Sequence, residues 1–181
     1  MSLEIFRLAS SAPTIAALSD ILIEVVANGG SVSFMHPLAS DVAAAFWTKS
    51  LAAADSGKRV VLGASLDGEL VGTVTLDLDS PQNQPHRADI AKLMTKVRSR
   101  GLGVGRTLML EAERIAVADG RTLLTLDTAA EDGAAGLYER LGYELVGEIP
   151  DYALKPHGGL TGTLIYFKRI GAAAGMSQGS R

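Results

Sequence analysis

The chain has 181 residues, with 17 Lys and Arg against 20 Asp and Glu and a net charge of -3. Such a balance offers no general attraction for nucleic acid or an anionic membrane. The absence of cysteine excludes disulfides, thiolate metal ligands and a cysteine nucleophile together.

Hydrophobic content of 47% and charged content of 20% mark a folded globular chain, and the length favours a single domain over residues 1–170. His36, His86 and His157 stand far apart and match no metal spacing. The N-terminus has no basic stretch followed by an apolar run, and no segment is long enough to cross a membrane. A cytoplasmic protein is the default expectation.

Leu3 to Leu8 alternates apolar and polar residues, as a first strand does. Thr14 to Val26 carries Ile15, Leu18, Ile21, Leu22 and Val25 at helical spacing, with Ser11 or Thr14 as the cap and Asn28-Gly29-Gly30 as the stop. Ser31 to Leu38 is apolar without helical pattern and is broken by Pro37; it reads as a substrate-facing loop or as core packing. A second helix follows from Ser40 to about Ala54. Phe34, Met35 and Trp47 either line an acceptor pocket or pack in the core, and core packing is the commoner use of such residues.

Arg59 to Leu66 and Glu69 to Leu78 form a hairpin about Asp67-Gly68. After a loop marked by Pro81, Asn83 and Pro85, Arg87 to Thr95 is another strand. A helix from about Gly103 to Ala118, a strand from Thr122 to Thr128 and a short helix from Gly133 to Leu141 come next. Strands at Tyr143 to Ile149 and Leu164 to Ile170 flank a Pro/Gly-rich loop containing Tyr152, Pro156 and His157. The tail, Gly171 to Arg181, has the composition of a disordered end. The predicted order is βααβββαβαββ, a mixed α/β sheet flanked by helices, with a right-handed βαβ crossover around the central glycine-rich turn.

That turn, KLMTKVRSRGLGVGR from Lys92 to Arg106, is the most informative stretch. Arg100, Gly103 and Gly105 give R-x-x-G-x-G between a strand and a helix, and Gly101 opens a further gap in side chains. Glycines let the backbone approach a ligand, and the helix start offers unpaired N–H groups and the positive end of its dipole to a phosphate. Lys96, Arg98, Arg100 and Arg106 add matching charge. A P-loop needs Gly-Lys-Ser/Thr where this run has Gly105-Arg106-Thr107, and a dinucleotide fingerprint needs a small residue where Arg106 stands.

The segment resembles the acyl-CoA loop of the GNAT superfamily of N-acetyltransferases. The likeness continues through Ala134, Leu137, Tyr138, Leu141, Gly142 and Tyr143, in the family's A-x-x-L-Y-x-x-L-G-F/Y pattern, and through the two closing strands. It covers nearly all of Leu3 to Ile170 and is similar above all to the tabtoxin-resistance branch. The shared runs there are GGSVSFM (Gly29 to Met35), RADIAKLM (Arg87 to Met94), LLTLDT (Leu123 to Thr128), GEIPDYALKPHGGL (Gly147 to Leu160) and IYFK (Ile165 to Lys168). Two departures stand out: Thr95-Lys96-Val97 replaces a common Val-x-Pro, and Glu131 stands where many members have Asn.

The resemblance implies acetyl-CoA as cosubstrate and a primary amine as acceptor. It implies that Leu93, Met94 and Thr95 pair their backbone with pantetheine. The pyrophosphate is then held by Arg98 and by Arg100, Gly101, Leu102, Gly103, Val104, Gly105 and Arg106, mainly through amides. Tyr138 is implied as the acid that protonates the leaving thiolate, although the same residue also suits a core tyrosine at helical spacing. Asp89 and Asp127 are the carboxylates placed to take a proton from the amine or to attract its cation; as residues alone, each reads first as a strand-end turn or cap residue. A small-molecule amine, including a β-lactam amino-acid toxin, is the first acceptor implied. A protein amine, a polyamine or a non-catalytic acetyl-CoA sensor are the alternatives. Many GNAT members are homodimers, but no residue here marks an interface.

Overall fold

The computed structural model describes residues 2–131 and 133–171. The predicted disordered tail lies outside the described residues except for Gly171. The chain runs β1 (Leu3–Arg7), α1 (Ala12–Ala27), α2 (Ser40–Asp55), β2 (Arg59–Leu66), β3 (Glu69–Asp77), β4 (Arg87–Thr95), α3 (Val104–Ala118), β5 (Leu123–Ala129), α4 (Ala135–Arg140), β6 (Glu144–Leu154) and β7 (Leu160–Arg169). A 3-10 turn at Val97–Ser99 separates β4 from α3. The predicted order of elements holds throughout.

The strands form a 7-stranded sheet in the order β1-β2-β3-β4-β5-β7-β6. Every pairing is antiparallel except β4 with β5, where the α3 crossover returns the chain in the same direction. The β2–β3 hairpin turns at Asp67 and Gly68, both with positive φ (50° and 88°), as a two-residue turn matched to strand twist requires.

Alternation along the strands divides the core between the two faces of the sheet. Val60, Leu62 and Ala64 of β2 face α3, whose Leu108, Met109, Ala112, Ile115 and Ala116 are buried against them. Val61 and Met94 face the other way, against Leu18, Ile21, Leu22, Val26, Trp47 and Leu51 of α1 and α2. Each large apolar side chain fully buried in this way contributes about 1.5–3 kcal/mol. Ser11 caps α1, its hydroxyl accepting the Thr14 N–H at 3.2 Å, and Pro13 occupies the first turn. Trp47 belongs to this core, Phe34 stacks edge-on to Phe46 at 5.3 Å, and Met35 is exposed.

The last two strands depart from the predicted boundaries. β6 continues to Leu154 and β7 begins at Leu160, so the predicted long loop shrinks to a turn closed by the Lys155 N–H to Gly159 carbonyl bond at 2.8 Å. Tyr152 therefore lies in a strand. Pro150 hid this continuation, because proline cannot donate to a ladder; β6 is an edge strand, and its register with β7 shifts between Ile149 and Ala153.

Candidate active site

β4 and β5 pair in parallel only at Arg87–Leu123, Ala88–Leu124 and Asp89–Thr125. Beyond that rung each strand continues, β4 to Thr95 and β5 to Ala129, while their backbones separate. The gap opens into a cleft of about 610 Å³, lined by the ends of both strands, the 28–33 loop, α4 and the β6–β7 hairpin.

β4 reaches the cleft through a bulge. Thr73 pairs with Met94 and Thr75 with Ala91, so Lys92 and Leu93 together oppose Val74. Lys92 takes a left-handed φ of 52°, and its Nζ lies 3.0 Å from the Ser33 hydroxyl and 5.8 Å from the centre of the Phe46 ring. Its side chain is half-buried and lines the cleft. Burial pushes the Lys92 ammonium below the ordinary lysine range, Asp127 pulls it partly back, and Arg59 adds to the lowering. Sequence reasoning passed over this lysine. Its signal was a charged residue inside the otherwise apolar run from Ile90 to Met94.

The glycine-rich turn is anchored before it meets α3. The Lys96 N–H donates to the Val71 carbonyl at 2.8 Å and the Val97 N–H to Glu24 Oε1 of α1 at 2.7 Å. Glu69 pairs with Lys96 at 2.8 Å and with Arg98, and hydrogen bonding to Lys96 holds its carboxyl below the usual range. Arg98 is thus engaged at the flank of the turn rather than in the cleft.

Gly103 caps α3 at a φ of 82°, a conformation that costs other residues about 1–2 kcal/mol. The helix begins its ladder with the Thr107 N–H on the Gly103 carbonyl at 3.0 Å. Among the described residues, the amides of Gly101 through Arg106 have no hydrogen-bond partner in the protein. Gly72 permits this placement: a Cβ there would meet Val104 Cγ1 at 2.8 Å and the Met94 carbonyl at 3.1 Å. Arg100 and Gly105 line the cleft, the Val104 side chain is buried in the core, and Leu102 and Arg106 are exposed. A row of free amides at a helix start beside arginine suits a pyrophosphate, and the unpaired flank of β4 suits an amide-bearing arm, so these residues fit acetyl-CoA.

Asp127 and Tyr138 line this same cleft. Asp127, near the end of β5, has Thr163 Oγ1 3.1 Å from its Oδ2 and is exposed to the opening. Tyr138, on α4, is 6% exposed and packs against the rings of Tyr143 and Tyr166 at 6.0 and 5.9 Å. It serves the core and the cleft together. Asp89 sits elsewhere: it is half-buried at the last β4–β5 rung, accepts from Arg87 and Thr125, and is not among the cleft-lining residues. Glu131 does line the cleft and is bonded to Lys155 of the β6–β7 turn at 2.9 Å.

Among known structures, the fold is similar to a ribosomal-protein-alanine N-acetyltransferase from Brucella melitensis (21% identity, 91% of this chain and 99% of that one, TM-score 0.78). It is similar also to a GCN5-related N-acetyltransferase from Kribbella flavida (21% identity, 93% and 98%, TM-score 0.77). A third likeness is to yncA from Salmonella typhimurium, solved with its cofactor acetyl-CoA (16% identity, 97% and 99%, TM-score 0.75). Identities this low establish the shared fold. The profile of the acetyltransferase (GNAT) family matches residues 31–143, which span the end of the loop that lines the cleft, the diverging strands, the glycine-rich turn and α4. The chain belongs to the acetyltransferase (GNAT) family, enzymes that transfer an acetyl group from acetyl-CoA to an amine.

Proposed function

We propose that residues 1–170 form one catalytic domain that acetylates the primary amine of a small molecule, with Asp127 as base and Tyr138 as acid. The observation that carries this is the meeting of both side chains with the β4 end, Arg100 and Gly105 in one cleft. Acetyl-CoA supplies an activated thioester. The backbone of Leu93, Met94 and Thr95 aligns its pantetheine arm and polarises the thioester carbonyl. Arg100 and the amides from Gly101 to Arg106 hold the pyrophosphate end, while Arg98, paired with Glu69, stays at the flank of the turn.

An aliphatic amine with a pKa near ~10 is mostly protonated at neutral pH, so Asp127 attracts the ammonium and accepts its proton. The amine nitrogen then bonds to the acetyl carbon as the carbon–sulfur bond breaks, and the Tyr138 hydroxyl gives its proton to the departing thiolate. Asp89, bound by Arg87 and Thr125, positions the rung from which the strands diverge. We assign the base role to Asp127 because it is the one of the two that lines the cleft.

The runs shared with the tabtoxin-resistance branch support a β-lactam amino acid such as tabtoxinine-β-lactam as the first acceptor to try. The test is thiol release from acetyl-CoA over a panel of β-lactam amino acids, common amino acids, polyamines, aminoglycosides and short peptides. Strong release with one small amine supports the proposal. Release confined to peptides overturns the small-molecule acceptor, and no release despite bound acetyl-CoA overturns the catalytic role.

A further inference from the structure

We propose that Lys92 anchors a carboxylate of the acceptor, so that the substrate is an amino acid or similar zwitterion held at both ends, carboxylate on Lys92 and ammonium on Asp127. The inference rests on the assignment of this cleft to amine acetylation and deepens it by naming the acceptor class and the residue that selects it.

Charge pairing and burial together set Lys92 apart from the cations around it; Arg100, which also lines the cleft and has no carboxylate partner among the described residues, is exposed on the glycine-rich turn. Arg59 is paired with Asp77, Arg87 with Asp89, Lys96 and Arg98 with Glu69, and Lys155 with Glu131. Lys92 pairs with no carboxylate among the described residues; its polar contact is the neutral Ser33 hydroxyl at 3.0 Å. A half-buried ammonium left without a counter-charge is costly unless something brings one.

Backbone geometry gives a second, independent indication. Lys92 is held left-handed by the β4 bulge, a conformation unfavourable for a lysine and tolerated where surrounding structure enforces it. The bulge reverses the alternation of β4, so that Ile90 packs on the α3 face and Met94 on the α1–α2 face, and Lys92 at the bulge reaches the cleft. The cleft therefore brings together Lys92 and, on β5, the exposed Asp127, whose charge acts on it; of the other charged residues lining it, Arg100 belongs to the glycine-rich turn and Glu131 is bonded to Lys155. An acceptor with only an amine would satisfy Asp127 and leave Lys92 unpaired. One that carries both charges satisfies both.

The test pairs each common L-amino acid with its α-carboxamide, which keeps the amine and removes the negative charge. Acetyl-CoA-dependent thiol release is measured for wild type, Lys92→Met and Lys92→Arg, with circular dichroism to confirm folding. Wild type is expected to favour acids over amides, Lys92→Met to lower kcat/KM for acids about 10- to 100-fold with little change for amides, and Lys92→Arg to recover much of the preference. Equal use of acids and amides by wild type overturns the proposal, as does an equal loss for both in Lys92→Met. Binding of N-acetyl-L-amino acids and of their amides, in the presence of CoA, provides a readout free of turnover. Selective weakening of the acids in Lys92→Met supports the anchor even if no amine is acetylated, a result that would sink the catalytic assignment alone. Unchanged binding of both series in Lys92→Met removes Lys92 from acceptor recognition.

Discussion

Asp89 and Thr125 form the last rung at which β4 and β5 run together, and Asp89 accepts the Thr125 hydroxyl across it. Everything the cleft uses lies beyond this rung: the bulged end of β4, the unpaired amides at the start of α3, and Asp127 near the end of β5.

The two aspartates should separate by experiment. Asp127→Asn is expected to lower kcat/KM about 10²- to 10⁴-fold with little change in thermal stability, because the side chain is exposed and removes a base. Asp89→Asn is expected to lower Tm by a few degrees and activity by much less, since it weakens the contacts to Arg87 and Thr125. Steady-state kinetics and thermal denaturation on both variants check this; the reverse pattern would transfer the base role to Asp89.

Tyr138→Phe keeps the ring contacts with Tyr143 and Tyr166 and removes the hydroxyl. Turnover should fall at least ~10-fold with acetyl-CoA affinity nearly intact. Unchanged turnover in purified protein would exclude Tyr138 as the acid.

Gly103→Ala forces a Cβ onto a left-handed cap that has open space around it, so the cost is conformational. The expected loss is about 1–2 kcal/mol of stability. Acetyl-CoA affinity should fall as well, because the same turn presents the free amides. Denaturant unfolding and acetyl-CoA titration read the two effects separately.

Much of this was legible in the sequence, and what was missed has physical causes. Element types and order followed from periodicity, and the glycine turn from the spacing of Arg100, Gly103 and Gly105. The predicted strand stops at Ile149, one residue before Pro150, because a sequence does not reveal which strand lies at the edge of a sheet and so tolerates a proline. Asp89 and Asp127 both sit late in apolar β runs, and only strand pairing shows that one closes the last rung while the other lines the cleft. Lys92 escaped notice because a bulge, which redirects a side chain, is defined by the partner strand and not by the strand that carries it.

Lys92 also makes a stability prediction. Burial puts its folded-state pKa below the unfolded value, so between those two values the unfolded chain binds more protons and stability rises with pH. Below the folded-state value the penalty is fully present. Lys92→Met should therefore be more stable than wild type near neutral pH, with a higher Tm. The advantage should shrink as pH rises through the folded-state pKa toward the lysine range. Unfolding of the two proteins at matched pH values measures the difference, and an advantage that grows with alkalinity would contradict the burial effect.

The most direct measurement is a titration of the ¹⁵N-labelled protein with acetyl-CoA, following every backbone amide by NMR. The largest shifts are expected at Gly101 through Arg106 and at Leu93 to Thr95, with smaller ones at Asp127 and Tyr138. Saturable binding that leaves those amides unmoved and shifts another surface would contradict the placement of acetyl-CoA between the diverging strands.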